Sequence, residues 1–359
     1  MLPDVNMPVN SAGSSKRWKK WKMATGFAAE FLEERGDHMP ELSELIEVKH
    51  LKKYFDTKHG TLHAVDDVSF SIAKGETLGV VGESGCGKST LGRMLVHLHS
   101  STDGQILYNG KDITHLKKKE LSEYRRKMQI IFQDPYSSLN PRMTVGQVLE
   151  EALRNAGVSH AQLETQVFEL MDTVGLARRY LDTYPHELDG GRRQRIGIGR
   201  ALAMNPEFIV CDEPVSALDV SIQAQVLNLM LDLQEQRNLT YMFITHDLSV
   251  VKYISHHILV MYLGQMVEKS SAKELFSHHY HPYTKALLSA VPVADPHHEK
   301  KRILLKGELT SPINPKPGCR FASRCLYATE KCFQQSPVME EIRPSHFVSC
   351  HNVREINQM

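Results

Sequence analysis

The stretch VVGESGCGKSTLGRML, residues 80–95, enters on apolar residues, turns through a glycine-rich middle and leaves on an amphipathic run suited to a helix. Within it, Gly82, Glu83, Ser84, Gly85, Cys86, Gly87, Lys88 and Ser89 fit G-x-x-x-x-G-K-[ST] without a mismatch, in the strand-then-helix setting that this motif requires. Glycines let successive backbone N–H groups turn toward a phosphate, and the helix that follows adds its positive N-terminal end. Lys88 is then placed for the β and γ phosphates and Ser89 for Mg2+, with Thr90 beside it as a further ATP-binding residue. The expected ligand is a nucleoside triphosphate with magnesium, and the expected fold is α/β.

Outward from this loop, the pattern becomes strand-like at ELIEVKHLKKYF (44–55), and AVDDVSFSIAKGETLGVVG adds short strands of alternating polarity. RKMQIIFQDP (126–135) gives another strand, followed by about fifty residues that lean to helix. PEFIVCDEP (206–214) and LTYMFITHD (239–247) are apolar runs that end in chemically capable residues. Such runs suit parallel strands covered on both faces. The composition turns to histidine and proline after about residue 275, which marks a boundary. The expected division is an N-terminal appendage (1–43), a nucleotide-binding domain (44–275) with a helical subdomain at about 136–190, and a C-terminal extension (276–359). The appendage carries both tryptophans, Trp18 and Trp21, among lysines; it reads as a docking tail or as a basic helix on a membrane surface.

At 359 residues the chain is long enough for a sizeable core. Its 43 Lys and Arg nearly match 42 Asp and Glu, for a formal charge of +1, so no global field favours nucleic acid. No run approaches the roughly 20 apolar residues of a membrane span, and no secretory leader is legible. The chain reads as cytoplasmic, where cysteines serve as thiols or metal ligands rather than disulfides.

An acid closing a core strand, as Asp212 does, can hold Mg2+, and its neighbour Glu213 can orient or deprotonate a water. His246 follows another apolar strand, where an imidazole can donate to a phosphate. Taken in order, Gln133 in IIFQDP, LDGGRRQR (188–195), CDEPVSALD (211–219) and ITHD (244–247) resemble the Q-loop, signature, Walker B with D-loop, and switch histidine of ATP-binding cassette (ABC) ATPases. More narrowly, FQDPYSSLNPRMTV, YPHEL, HHYHPYTKALLSAVP and GCRFASRC resemble the ATPase subunits of bacterial dipeptide and oligopeptide importers.

That resemblance implies a P-loop NTPase (RecA-like) core with an antiparallel β subdomain, a helical subdomain and a small Cys-rich extension. It implies ATP held between two paired cassettes, on the cytoplasmic face of the membrane. The partners implied are a second ATPase subunit, two transmembrane permeases and, indirectly, an extracytoplasmic solute-binding protein; the solute is a peptide or a related small solute such as nickel. Glu213 is implied as base, His246 as the γ-phosphate contact, Gln133 as a Mg2+ or water contact, and Asp219 as a residue of the dimer seam. Phe55, or else Tyr54, is implied as the adenine-stacking aromatic.

The family's signature usually reads Leu-Ser-Gly-Gly-Gln, whereas this chain has Leu188, Asp189, Gly190, Gly191 and Arg192. A carboxylate there adds like charge against a phosphate, which Arg192 one turn away can offset. A heterodimer with unequal sites is therefore expected, although equal sites remain open. Cys319, Cys325, Cys332 and Cys350 crowd the last 41 residues with little apolar sequence around them. Four thiols bind zinc or an iron–sulfur cluster, or stay free; the importer resemblance implies a [4Fe–4S] cluster.

Overall fold

A computed structural model of the chain describes residues 43–291, 302–305, 307 and 311–359; the expected appendage, but for Ser43, lies outside them. Two sheets organise these residues. The first is antiparallel, with β1 (Glu44–Thr57), β2 (Gly60–Ala73), β4 (Asp103–Tyr108) and β5 (Lys111–Asp112) in the order β2-β1-β4-β5. The second has eight strands in the order β11-β12-β10-β9-β3-β8-β7-β6. These are β3 (Thr77–Val81), β6 (Met128–Ile131), β7 (Phe208–Asp212), β8 (Thr240–Ile244), β9 (His257–Tyr262), β10 (Gln265–Ser271), β11 (Glu340–Arg343) and β12 (His346–Val348). From β9 to β6 the pairing is parallel, and β10, β12 and β11 add on antiparallel.

Why β7 and β8 read as unbroken apolar runs is visible in their packing. Alternate residues point to opposite faces of a strand. Phe208, Val210, Met242 and Ile244 pack into a core shared with the antiparallel sheet and with Leu91, Met94 and Leu95 of α1 (Lys88–Leu95). Ile209, Cys211, Tyr241 and Phe243 pack instead against the helical region. Each face needs its own cover, so neither can carry polar residues. Close approach of α1 to this sheet depends on Gly92, where a Cβ would stand 2.7 Å from Val210 Cγ1 and 2.8 Å from Ile244 Cδ1.

The helix-leaning stretch folds as α2 (Val145–Ala156) and α3 (Leu163–Thr173), followed by short turns and then α4 (Gly190–Leu202). Thr144 and Gln147 form a capping box at the start of α2, and Gly157 ends it in the left-handed conformation at φ 93°. A long helix, α5 (Val220–Arg237), links β7 to β8.

The described residues of the expected C-terminal extension pack onto the main sheet. The extension's hairpin, β11 with β12, extends the main sheet through Glu268↔Val348 and Lys269↔Phe347. Glu268, fully buried, accepts from the backbone N–H groups of Tyr280 and His281 and pairs with buried His346 at 2.8 Å. The geometry is a buried carboxylate with three partners, which is how such a group avoids a large desolvation cost.

Candidate functional site

Four parallel strands end side by side, and the loops after them hold most of the sequence's candidate residues. β3 leads into Gly82–Ser89, β6 into Gln133, β7 into Asp212 and Glu213, and β8 into His246. The C-terminal ends of parallel strands are where open α/β sheets bind ligands.

The loop takes its shape from Gly87, which caps α1 at φ 102°. A Cβ there would collide with the Ala64 carbonyl, so a side chain is excluded by both conformation and space. Lys88 folds back into the loop, donating to the carbonyls of Gly82 at 2.8 Å and Glu83 at 3.0 Å. Ser89 Oγ donates to Asp212 Oδ1 at 2.6 Å. Asp212 is 1% exposed, and burial holds its carboxyl above the usual carboxylate range despite that hydrogen bond. A cation in contact would favour the ionised form. Ser89 and Asp212 thus form a ready pair of oxygen donors. Sequence reasoning missed Arg93, which stands 3.7 Å from Asp212 Oδ2; its place two-thirds along an amphipathic helix gives no local sign of this.

Glu213 joins the other two candidates. Gln133 Nε2 donates to Glu213 Oε2 at 3.0 Å, and His246 Nδ1 lies 3.3 Å from Glu213 Oε1. The Glu213 side chain is 16% exposed, whereas that of His246 is 61% exposed and free to meet a partner from outside. Glu213 has φ 48°, uncommon for a residue with a side chain, and its N–H donates to the Ile244 carbonyl at 2.9 Å. A backbone bond from β8 therefore fixes the direction of a carboxylate that follows β7.

At the start of α4, Asp189 Oδ1 accepts from the Arg192 backbone N–H at 2.8 Å, and its other oxygen pairs with the Arg192 guanidinium. That guanidinium also lies 4.9 Å from the centre of the Tyr180 ring. The anticipated charge offset is made. Gly190 and Gly191 open α4, and Asp219 caps α5 with its side chain exposed. Phe55 meets His99 edge to face at 5.8 Å, while Tyr54 stacks on His63 at 3.9 Å and donates its hydroxyl to Asp66. Neither aromatic is given a contact with the loop by these packings.

All four C-terminal cysteines line one cavity, with Phe321, Ala322 and His281 among its walls. Cys319 N–H donates to the Cys332 carbonyl at 2.7 Å. Burial pushes the thiols of Cys319 and Cys350 up to about 11. Among the described residues no three His, Cys, Asp or Glu side chains close on a metal-ion position. The donor set suits a thiophilic metal, but the thiols as placed converge on a cavity without forming a coordination shell.

Comparison with known proteins agrees with this geometry. Residues 65–216 match the ABC transporter family model, and residues 267–332 match that of the oligopeptide/dipeptide transporter C-terminal region. The oligopeptide transport ATP-binding protein AppF of Bacillus subtilis is 52% identical over 318 residues, covering 86% of this chain and 97% of the relative. OppF of the same organism is 52% identical over 310 residues, covering 86% and 96%. The chain belongs to the ABC transporter family. Among solved structures, a dimeric ATP-binding cassette in a post-hydrolysis state bound to ADP and Pi is similar at 27% identity and a TM-score of 0.58, covering 64% of this chain and 99% of that one. The ABC fold accounts for the two sheets and for the loops at the strand ends. Among the described residues no helix is long and apolar enough to cross a membrane.

Proposed function

We propose that this ABC ATPase binds and hydrolyses ATP to energise import of di- or oligopeptides, or of a related small solute such as nickel, acting as one of two paired cassettes on the cytoplasmic face of a membrane. The observation that carries this reading is the meeting of Gln133, Glu213 and His246 beside the Ser89–Asp212 pair, at the mouth of the phosphate loop. The relatives' names supply the peptide class.

In this reading Gly82–Gly87 offer backbone amides to the phosphates, and Lys88 leaves its carbonyl partners for the β and γ oxygens. Ser89, Asp212 and Gln133 hold Mg2+. Glu213 orients and deprotonates the attacking water, and His246 holds the γ-phosphate. Phe55 stacks on adenine. Residues 44–275 form the cassette and 276–359 an extension of it.

The opposing cassette receives Asp189, Gly190, Gly191 and Arg192 against its nucleotide, with Asp219 at the seam. A serine in the second signature position would offer a hydroxyl donor to a phosphate, whereas an ionised aspartate is an acceptor only. The site that this signature completes is therefore the slower of two in a heterodimer, and the site built on Lys88 and Glu213 does most of the turnover. Two permeases and an extracytoplasmic solute-binding protein complete the importer.

Cys319, Cys325, Cys332 and Cys350 would hold a [4Fe–4S] cluster, or zinc, once their side chains close around it, and the bound group would supply a structural cross-link between chain segments. The test of function is uptake by the reconstituted complex. Glu213→Gln should abolish ATP-driven peptide uptake while the complex still assembles, and unchanged uptake would reject the assignment.

A further inference from the structure

The phosphate loop is gripped by a residue 241 positions further along the chain. Arg324 ends the one-turn helix Ala322–Arg324, next to Cys325. Its guanidinium forks onto the Glu83 carboxylate, with Nη1 to Oε2 at 2.7 Å and Nη2 to Oε1 at 3.1 Å. The Arg324 side chain is 9% exposed, which shields the pair from solvent on one side. Glu83 is the first variable position of the loop, and two further contacts fix it. Its N–H donates to the Tyr283 hydroxyl at 2.8 Å, and its carbonyl accepts from Lys88.

A carboxylate in a loop that receives a triphosphate is a like charge beside an anion, and in a half-buried setting it is poorly screened. A bidentate arginine both neutralises it and fixes where it points. Lysine would supply the charge without the fork. We propose that Arg324 is a positioning residue of the ATP site: by neutralising and orienting Glu83 it keeps the loop in its anion-accepting shape, so ATP affinity depends on the C-terminal region. This rests on the reading of Gly82–Ser89 as the ATP loop.

Docking of that region does not hang on Arg324 alone. Arg320 donates to the Leu263 carbonyl and to Asp66, and β12 is zipped to β10. Removing the Arg324 fork should therefore loosen the loop while leaving the segment in place.

The experiment is a thermodynamic cycle on the full-length chain, read as the Mg·ATP dissociation constant by calorimetry. Arg324→Ala should weaken ATP binding about tenfold, the scale of losing a charge-assisted pair. In a Glu83→Gln background, where no charge needs neutralising, the same substitution should change affinity by no more than about threefold. A purely structural role would subtract the same factor in both backgrounds, and that result, or wild-type affinity in Arg324→Ala, overturns the proposal. Should Arg324→Ala fail to fold, Arg324→Lys reads the same cycle, with a loss when Glu83 is intact and none in the Glu83→Gln background; equal effects again overturn it. In the assembled transporter, Arg324→Ala should raise KM for ATP with kcat within about twofold, the pattern of lost ground-state binding. Lys88→Ala run alongside separates the two claims. If it binds ATP as tightly as the wild type, the reading of the loop has failed rather than the role of Arg324.

Discussion

Glu213 shows how a single residue is made ready for chemistry. It stands one position beyond a fully buried strand, in a left-handed conformation secured by the Ile244 carbonyl, so its carboxylate faces Gln133 and His246 instead of solvent. In the proposed role of base, Glu213 acts on the attacking water rather than on the bound nucleotide, so Glu213→Gln should lower ATP hydrolysis at this chain's own site about a hundredfold or more, with ATP affinity within about twofold of wild type. A loss of affinity equal to the loss of rate would assign it to binding. Asp189 makes the opposite case. Its oxygens are spent on Arg192, and Asp189→Ser should raise turnover at the partner's nucleotide site severalfold, measured with the partner's own base intact. Turnover that falls or stays fixed would mean that the aspartate is suited to its place. The loop, Asp212, Glu213 and His246 were legible from sequence because each closes an apolar strand within a few residues of a recognisable pattern. Arg93 and Arg324 were not, since both act on residues more than a hundred positions distant.

Elements were legible where one local pattern decides them. α2 is announced by an apolar stripe between Thr144 and Gly157, and its cap and stop both form as that pattern dictates. The hairpin of β11 and β12 is different: its strands are four and three residues long, and β12 takes its place by pairing with β10, a partner far earlier in the chain. No local pattern encodes such a partnership. The helix Pro282–Ala290 offers a test of how the C-terminal elements are held. Its cap, His281, is 1% exposed and accepts the Tyr283 N–H on Nδ1 at 3.1 Å. Burial depresses its pKa to about 4, below the 6.5 of an exposed histidine. The unfolded chain therefore binds a proton here that the native chain does not. Stability from this residue is complete above about pH 6.5, falls as the pH drops toward 4, and levels off below that. Denaturant titrations across this window should show His281→Asn, which keeps a capping oxygen, with a visibly shallower slope between pH 6.5 and 4 than wild type. Parallel slopes would place the acid sensitivity elsewhere.

For the whole molecule, the consequential fact is that the C-terminal region and the phosphate loop are not independent. β12 lengthens the main sheet, Arg320 ties the region to Asp66 and Leu263, and Arg324 reaches Glu83. A shared sheet and three polar anchors tie the C-terminal extension to the strands and loop of the nucleotide-binding region. Replacing Cys319 and Cys325 together by serine should loosen the turn that carries Arg324 and weaken ATP binding in the same direction as Arg324→Ala, by a smaller factor; unchanged affinity would uncouple the cysteine cavity from the loop. All of this presupposes that ATP is held by Lys88 and the loop amides and is cut in the complex. The most direct test is Mg·ATP binding and hydrolysis by the purified complex carrying Lys88→Ala in this chain. Binding at this chain's loop should fall by about a hundredfold or more, and transport-coupled hydrolysis should fall with it; a complex that retains and cleaves ATP as before would contradict the account.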